Sequence, residues 1–215
     1  DNSIPLGFAT VDEVKMWKTD LSAGSIELLY AEALAEETDT STLIYPDADF
    51  HWKFDETSGS TAVATAGGVD LVLSDVVVGS QPLIPDEGRA INFYDAALNS
   101  LAVDNTTTLA ITGDMSAFVW VDQENFNSGL FHLLFSFYGS GSTSAENSLY
   151  EFYLSGNNIN YFHQYGTKQN LWVNGGALIS KRKNHIGFVR DTVNKVVTFY
   201  VDGEAVNSGS YSDNT

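Results

Sequence analysis

Acidic side chains are the most abundant groups in this chain that could take part in chemistry. They include three adjacent pairs, Asp12-Glu13, Asp55-Glu56 and Asp86-Glu87. Neighbouring residues on a β-strand point to opposite faces, whereas hydrolysis of a glycosidic bond needs two carboxyl groups that flank the same bond. The spacing of these pairs therefore does not indicate a catalytic acid and base.

Cysteine and histidine give no better indication of catalysis. The chain has no cysteine, so disulfides, thiolate nucleophiles and thiolate metal ligands are excluded. Its histidines lack the short spacing of a metal-binding motif; they are His51, His132, His163 and His185. We therefore expect a protein that is not an enzyme.

The net charge limits the partners that this chain can bind. Its 28 acidic and 10 basic residues give a formal net charge of −18 at pH 7. Such a surface repels phosphate backbones and anionic lipids, so we expect no nucleic-acid partner. No apolar run is long enough for a membrane helix, and we expect no membrane insertion. Carboxylate oxygens are also the ligands that Ca²⁺ prefers, so cation binding is a further use of this charge.

Short strands separated by turn residues make up most of the chain and must position any site. Phe50, Trp52 and Phe54 alternate with polar residues, which indicates a half-buried strand. The segment MSAFVWVDQ is apolar on both faces and predicts a central strand. Asp202-Gly203 between two strand-like segments is a strong hairpin signal. These patterns predict an all-β fold, a two-sheet antiparallel sandwich.

One segment has helical spacing instead. Ser22 is a residue type that caps helices, and the apolar residues after it recur at Ile26, Leu29, Tyr30 and Ala33. This pattern predicts one short helix near residues 23–34. The polar segment behind it, residues 36–45, is followed by Pro46 and is typical of a linker.

Three blocks of sequence follow one another in an informative order. HWKFDETSGSTAVATAGG combines an aromatic strand, an Asp-Glu pair and a Gly-rich loop. GRAINFYDAALNSLAVDNTTTLAITGDMSAFVWV leads from a Gly-basic-Ala strand to a Trp-bearing strand, and KRKNHIGFVRDTVNKVVTFYVDGEAV contains an Arg-Asp turn and a Tyr-Val-Asp-Gly hairpin. Over residues 50–206 these blocks resemble the laminin-G-like jelly rolls of the concanavalin A-like lectin/glucanase superfamily. The resemblance implies a jelly-roll sandwich.

The block that closes the family's domain stands at the start of this chain. In the family, a strand of the type Ile-Asp-Glu-Val-x-aromatic is followed by Leu-Ser and a short helix; here that block is VDEVKMW, then Leu21-Ser22. We predict that residues 1–35 are the closing strand and helix of a sandwich whose main body is 46–215, paired in cis or in trans. Val14 and Met16 should face the core, and the helix should cover one end of the sandwich.

The resemblance also implies a structural Ca²⁺ at a sheet rim. Asp55 and Glu56 follow the first strand of the main body, and Asp12 lies on the closing strand, so these carboxylates converge if the two ends meet. The family loop carries a further Asp or Asn where this chain has TAVATAGG. The backbone carbonyls of Ala66 and Gly67 are the expected substitutes. In the alternative interpretation, Asp55 and Glu56 only begin a turn.

Carbohydrate binding is the activity that the resemblance implies most directly, and it needs an aromatic platform with polar neighbours. The candidate ligand-binding residues are Tyr161, His163, Tyr165 and Trp172. Alternating aromatic residues can instead form core, and the sequence leaves open which strand face is exposed. Glycosidases of the superfamily carry a Glu-x-Asp-x-x-Glu motif, which this chain lacks.

We therefore expect a non-catalytic adhesion module that binds a glycan or another cell-surface ligand. It would work beside neighbouring domains of a larger protein, outside the cell or on a cell or virion surface. Two other classes stay open: a structural spacer or assembly domain of a bacterial or phage surface fibre, and a glycan-cleaving enzyme.

Overall fold

The protein is described here from a computed structural model. The structure describes residues 9–34, 46–74, 76–84, 88–93, 100–102, 107–109, 111–123, 131–137, 149–155, 157–164, 170–177 and 183–211. Over these ranges the chain is mostly short antiparallel strands with a single α-helix, which confirms the predicted all-β class. No helix in these ranges is long and apolar enough to cross a membrane.

The elements follow the chain in a simple order. The strands are β1 (Ala9–Trp17), β2 (Phe50–Trp52), β3 (Thr61–Ala62), β4 (Ala64–Ala66), β5 (Leu71–Ser74), β6 (Val76–Ser80), β7 (Ala90–Phe93), β8 (Ser100–Ala102), β9 (Met115–Gln123), β10 (Phe131–Phe137), β11 (Leu149–Ser155), β12 (Asn158–Gln164), β13 (Asn170–Ala177), β14 (Asn184–Asp191), β15 (Val196–Val201) and β16 (Glu204–Ser210). The helix α1 spans Ala23–Leu34, and Thr107–Leu109 form one 3₁₀ turn.

Three sheets contain these strands. The large sheet has the order β16-β15-β14-β9-β1-β2-β4, and β7 joins it through β1 while β6 pairs with β7. A second sheet has the order β10-β11-β12-β13, and a small third sheet has the order β3-β5-β8. This arrangement is consistent with the predicted jelly-roll sandwich.

The N-terminal strand β1 lies in the middle of the large sheet. It pairs with β9 along one edge and with β2 and β7 along the other. Val14 is the register partner of Trp52, so the two strands that the sequence placed in one sandwich are direct neighbours. The division of the chain around a linker stays a prediction, because residues 36–45 lie outside the described ranges.

A β-bulge interrupts β1. The register with β9 shifts between Asp12 and Lys15, and Glu13 has a left-handed φ of 49°. Residues three apart on a regular strand point to opposite faces, but the extra residue of a bulge changes the phase. Val11, Val14 and Met16 therefore all pack in the core between the sheets, as predicted for the last two.

The core fills the space between the large sheet and the second sheet. Phe188 of β14 packs against two rings of the second sheet, Phe152 at 5.2 Å and Tyr161 at 4.6 Å between ring centroids. Ala62 and Leu73 of the third sheet join the same core. Burial of rings of this size is the dominant stabilising contribution in such a sandwich.

The helix α1 packs on the outer face of the large sheet. It begins where predicted, since the Ser22 hydroxyl accepts a hydrogen bond of 3.1 Å from the N–H of Ser25. Its buried residues Ile26 and Leu29 pack against Trp17, among others. Contrary to our prediction, the helix therefore does not cover an end of the sandwich. It covers the outer face because that face carries large apolar side chains that water would otherwise contact.

Candidate functional site

Asp12 is the most unusual carboxylate in the described part of the chain. It is 2 % exposed, and its Oδ2 accepts a hydrogen bond of 2.9 Å from the backbone N–H of Leu83. Burial raises the pKa of Asp12 to about 7, with smaller contributions from the negative charges of Glu13 and Asp55, while the Leu83 hydrogen bond opposes the shift. Asp12 is thus a carboxyl group that titrates near neutral pH.

Asp55 approaches Asp12 from the segment after β2. Its Oδ1 accepts a hydrogen bond of 2.9 Å from the backbone N–H of Arg89. A Cβ added to Gly88 would lie 1.5 Å from the same oxygen, so a larger residue there would displace the Asp55 carboxylate. The charge of Asp55 acts on Asp12. The segment after β2 therefore lies near β1, and the role of these two carboxylates as metal ligands stays a prediction.

Glu56 and Gly67 are placed elsewhere. Glu56 Oε1 accepts a hydrogen bond of 2.8 Å from the N–H of Val63, which lies between β3 and β4, and its Oε2 is buried without a partner. Gly67 follows β4, whose Ala66 pairs with His51, so it lies near the start of β2 and away from Asp55. Across the described ranges no group of three or more His, Asp or Glu is arranged to hold a metal ion. The expected set of four ligands therefore does not assemble, and a cation at Asp12 and Asp55 stays a prediction.

A polar cluster beside the bulge was not predicted. Glu13 is 5 % exposed, and its Oε2 lies 2.5 Å from His51 Nε2 and 3.8 Å from Lys15 Nζ. Lys15 and His51 are register partners on β1 and β2. The cluster depends on the bulge, which places Glu13 beside both His51 and Lys15. Buried carboxylates need such partners, and Asp12 differs from Glu13 because it accepts hydrogen bonds from backbone N–H groups, those of Leu83 and Glu13.

Tyr161 does not have the exposed ring that a sugar platform requires. It is fully buried in the core, and its hydroxyl accepts a hydrogen bond of 3.0 Å from Arg190 Nη1. Burial raises the pKa of Tyr161, which keeps the phenol neutral. The expected ligand contact is therefore corrected: this tyrosine belongs to the core because its strand face points toward the large sheet.

The other three candidate ligand residues stay predictions. His163 lies on β12 and Trp172 on β13, but their side chains are outside the description, and Tyr165 lies outside the described residues. In the register of these strands Trp172 pairs with Phe162. Phe162 packs with Tyr153 in a cluster separate from the main core. This separation shows that β12 presents aromatic rings to both of its faces.

Arg190 is a second feature that the sequence reasoning missed. It is 4 % exposed, and its guanidinium donates to Tyr161 and to the carbonyl oxygens of Ile111 and Gly113, at 2.5 to 3.0 Å. These contacts tie β14 to the segment before β9 and to the second sheet. The sequence signal was the Arg-Asp turn, which pointed to the position but not to its burial.

Comparison with known proteins agrees with this architecture. Residues 95–215, more than half of the chain, match the laminin-G family model described as the concanavalin A-like lectin/glucanases superfamily. No curated protein and no solved structure is significantly similar to the chain. The match is typical of a carbohydrate- or ligand-binding module. The chain belongs to the concanavalin A-like lectin/glucanases superfamily, as the three sequence blocks indicated.

Proposed function

We propose that this protein is a non-catalytic, extracellular adhesion module that binds a glycan or another cell-surface ligand. Membership of the lectin/glucanase superfamily is the observation that carries the proposal. The acidic surface and the absence of cysteine in the sequence are compatible with a module of a larger surface protein.

The carboxylate geometry supports binding over glycan cleavage. Asp12 and Asp55 are the nearest approach to an acid-and-nucleophile pair, because one has a pKa of about 7 and the other is exposed. Asp12, however, is buried and its Oδ2 is held by the backbone N–H of Leu83. A general acid must come within hydrogen-bond reach of the substrate oxygen. Asp12 does not have that access in this arrangement.

A cation is part of the proposal. The charge of Asp55 raises the free energy of the buried, ionised Asp12 carboxylate, and a bound Ca²⁺ would offset that repulsion. Asp12 and Asp55 would hold the ion. Its contribution would be structural, since it would join β1 to the segment after β2.

A glycan array, probed with and without Ca²⁺, tests the binding activity. We expect Trp172→Ala or Tyr165→Ala to abolish binding to any sugar that the array identifies. Tyr161→Phe is the matched aromatic control and should retain binding, because its ring is inaccessible. If no sugar binds under either condition, the structural spacer is the better assignment; release of reducing sugar from a polysaccharide would instead indicate an enzyme.

A further inference from the structure

A groove lies on the outer face of the large sheet, between α1 and the hairpin that joins β15 to β16. Its volume is about 600 Å³, which is within the usual range of ligand sites. Tyr30 and Tyr200 contribute rings to the lining, and Ala31 contributes a small side chain from the helix. The rims carry Glu27 from the helix and Glu204 from the hairpin. The groove therefore combines aromatic surface with carboxylates.

Packing beneath the groove holds its shape. Tyr30 stacks on Trp120 with ring centroids 5.7 Å apart, and on His185 at 6.0 Å. Gly203 lies at the hairpin tip with φ +83°, and a Cβ there would lie 3.1 Å from the Tyr30 ring. The hairpin thus rests directly on Tyr30. A preformed groove of this kind requires little ordering when a ligand binds.

All the charged side chains that line the groove are acidic. These residues are Glu27, Asp202 and Glu204, with no lysine, arginine or histidine among the lining residues. Asp202 is already engaged, because its carboxylate accepts bonds from the His185 N–H at 2.9 Å and from the Asn184 amide at 3.2 Å. Glu27 and Glu204 are exposed. They are therefore the carboxylates that face an incoming ligand.

We propose that this groove binds a lysine- or arginine-bearing peptide segment of a partner protein. The two exposed carboxylates would pair with the cationic head groups. The aliphatic stems of lysine and arginine pack on apolar surface, which Ala31 and the 47 % exposed Leu34 supply. Phosphate- and sulfate-bearing ligands are repelled by the same charges.

This surface is distinct from the expected sugar-binding residues. His163 and Trp172 lie on strands of the second sheet, whereas the groove lies on the opposite side of the large sheet. A chain that binds no glycan could still bind the peptide. The two proposals can therefore fail separately.

Fluorescence anisotropy with a labelled tetra-arginine peptide at 150 mM NaCl tests the proposal, with a tetra-glutamate peptide as the reference. We expect Glu27→Gln/Glu204→Gln to weaken binding about tenfold, which corresponds to about 1.4 kcal/mol. Ala31→Gln should weaken it similarly by filling the groove without a change in charge. The matched control, Asp47→Asn/Asp70→Asn, removes the same charge outside the groove lining and should change binding by less than about twofold.

Three results would overturn the proposal. Equal weakening by both double variants would show attraction to the overall negative charge. Unchanged binding in Ala31→Gln would place the peptide outside the groove. Binding of a neutral oligosaccharide such as maltohexaose that Ala31→Gln abolishes would assign the groove to sugar. Far-UV circular dichroism and melting curves establish that each exposed substitution leaves the fold intact.

Discussion

The buried carboxylate of Asp12 accepts a hydrogen bond from the backbone N–H of Leu83, with 2.9 Å between the two atoms. This contact fixes the segment after β6 to the outer face of the large sheet, where Leu83 packs with Trp120 and Ala90. It also leaves Asp12 in a low-dielectric environment beside the negative Glu13 and Asp55. Asp12 thus holds the segment after β6 in place, while burial raises the free energy of its ionised form.

Asp12→Asn should stabilise the protein at pH 8, because Asn keeps the acceptor for Leu83 without the buried charge. The pKa of Asp12 rises from 3.8 to about 7 on folding, so the contribution of Asp12 to stability is greatest below pH 3.8 and falls as the pH rises toward 7. We expect a gain of about 1–3 kcal/mol at pH 8 and a smaller gain at pH 5. Urea unfolding in EDTA measures it, with the exposed Asp70→Asn as control. A loss of stability of equal size at both pH values would contradict the prediction.

His185→Phe should reduce the loss of stability that the protein shows at acidic pH. His185 is 3 % exposed, its Nδ1 has no partner, and its ring lies among Tyr30, Phe118 and Trp120. Burial, with a smaller contribution from the charge of Lys15, lowers the pKa of His185 to about 3.

Since the folded pKa lies below the ordinary value of 6.5, the contribution of His185 is complete above pH 6.5 and is lost as the pH falls toward 3. We expect the free energy of unfolding of His185→Phe to fall less steeply than that of the wild type over this interval. Urea titrations at several pH values measure both slopes. Identical slopes would show that His185 is not the titrating group.

Arg190→Lys should destabilise the protein strongly. The guanidinium bonds to three acceptors at once, the Tyr161 hydroxyl and the Ile111 and Gly113 carbonyls, and an ammonium cannot reproduce that planar arrangement. We expect a loss of about 2–4 kcal/mol. Tyr161→Phe removes one of these bonds and should cost about 1 kcal/mol. Chemical denaturation measures the free energy of unfolding of both variants. If Arg190→Lys is as stable as the wild type, the guanidinium hydrogen bonds do not have the stabilising role proposed for them.

Deleting residues 1–35 should leave the remainder aggregated or unfolded. The deletion removes β1 from between β9 and the pair β2 and β7, together with the helix that covers Phe118 and Tyr200. It exposes two strand edges and a large apolar face. Size-exclusion chromatography and a melting curve of residues 36–215 measure the outcome. A soluble, monomeric and cooperatively folding remainder would show that residues 1–35 belong to a different domain.

The sequence predicted those elements of the fold whose formation depends on the pattern of neighbouring residues along the chain. The Ser22 cap and the spacing of Ile26 and Leu29 define α1 without tertiary information. The bulge at Glu13 has no such local signal, because it arises from the register between β1 and β9. The pairing of Glu13 with His51 follows from that register and was missed for the same reason.

The candidate site was harder to predict because both faces of its strands carry aromatic residues. Tyr161 and Phe162 are adjacent and both are buried, the first in the main core and the second in a separate cluster. Alternation alone does not identify the face that a second sheet will cover. Asp12 lies on β1 and Asp55 follows its neighbour β2, an adjacency that the order of the sequence blocks indicated, whereas loop geometry decides the position of Glu56. The role of these carboxylates as metal ligands stays a prediction.

Calcium removal should lower the melting temperature. Asp12 and Asp55 interact as like charges in the folded protein, and an ion held between them would be bound by the folded state alone. Such an ion stabilises the fold by about 2.7 kcal/mol at a hundredfold excess over its dissociation constant. We expect EDTA to lower the melting temperature of the wild type and to leave Asp55→Asn unchanged. Asp70→Asn is the control, because it removes an exposed carboxylate elsewhere and should keep the full response to calcium. If exhaustive chelation leaves the wild-type melting curve unaltered, these two carboxylates do not form a stabilising calcium site.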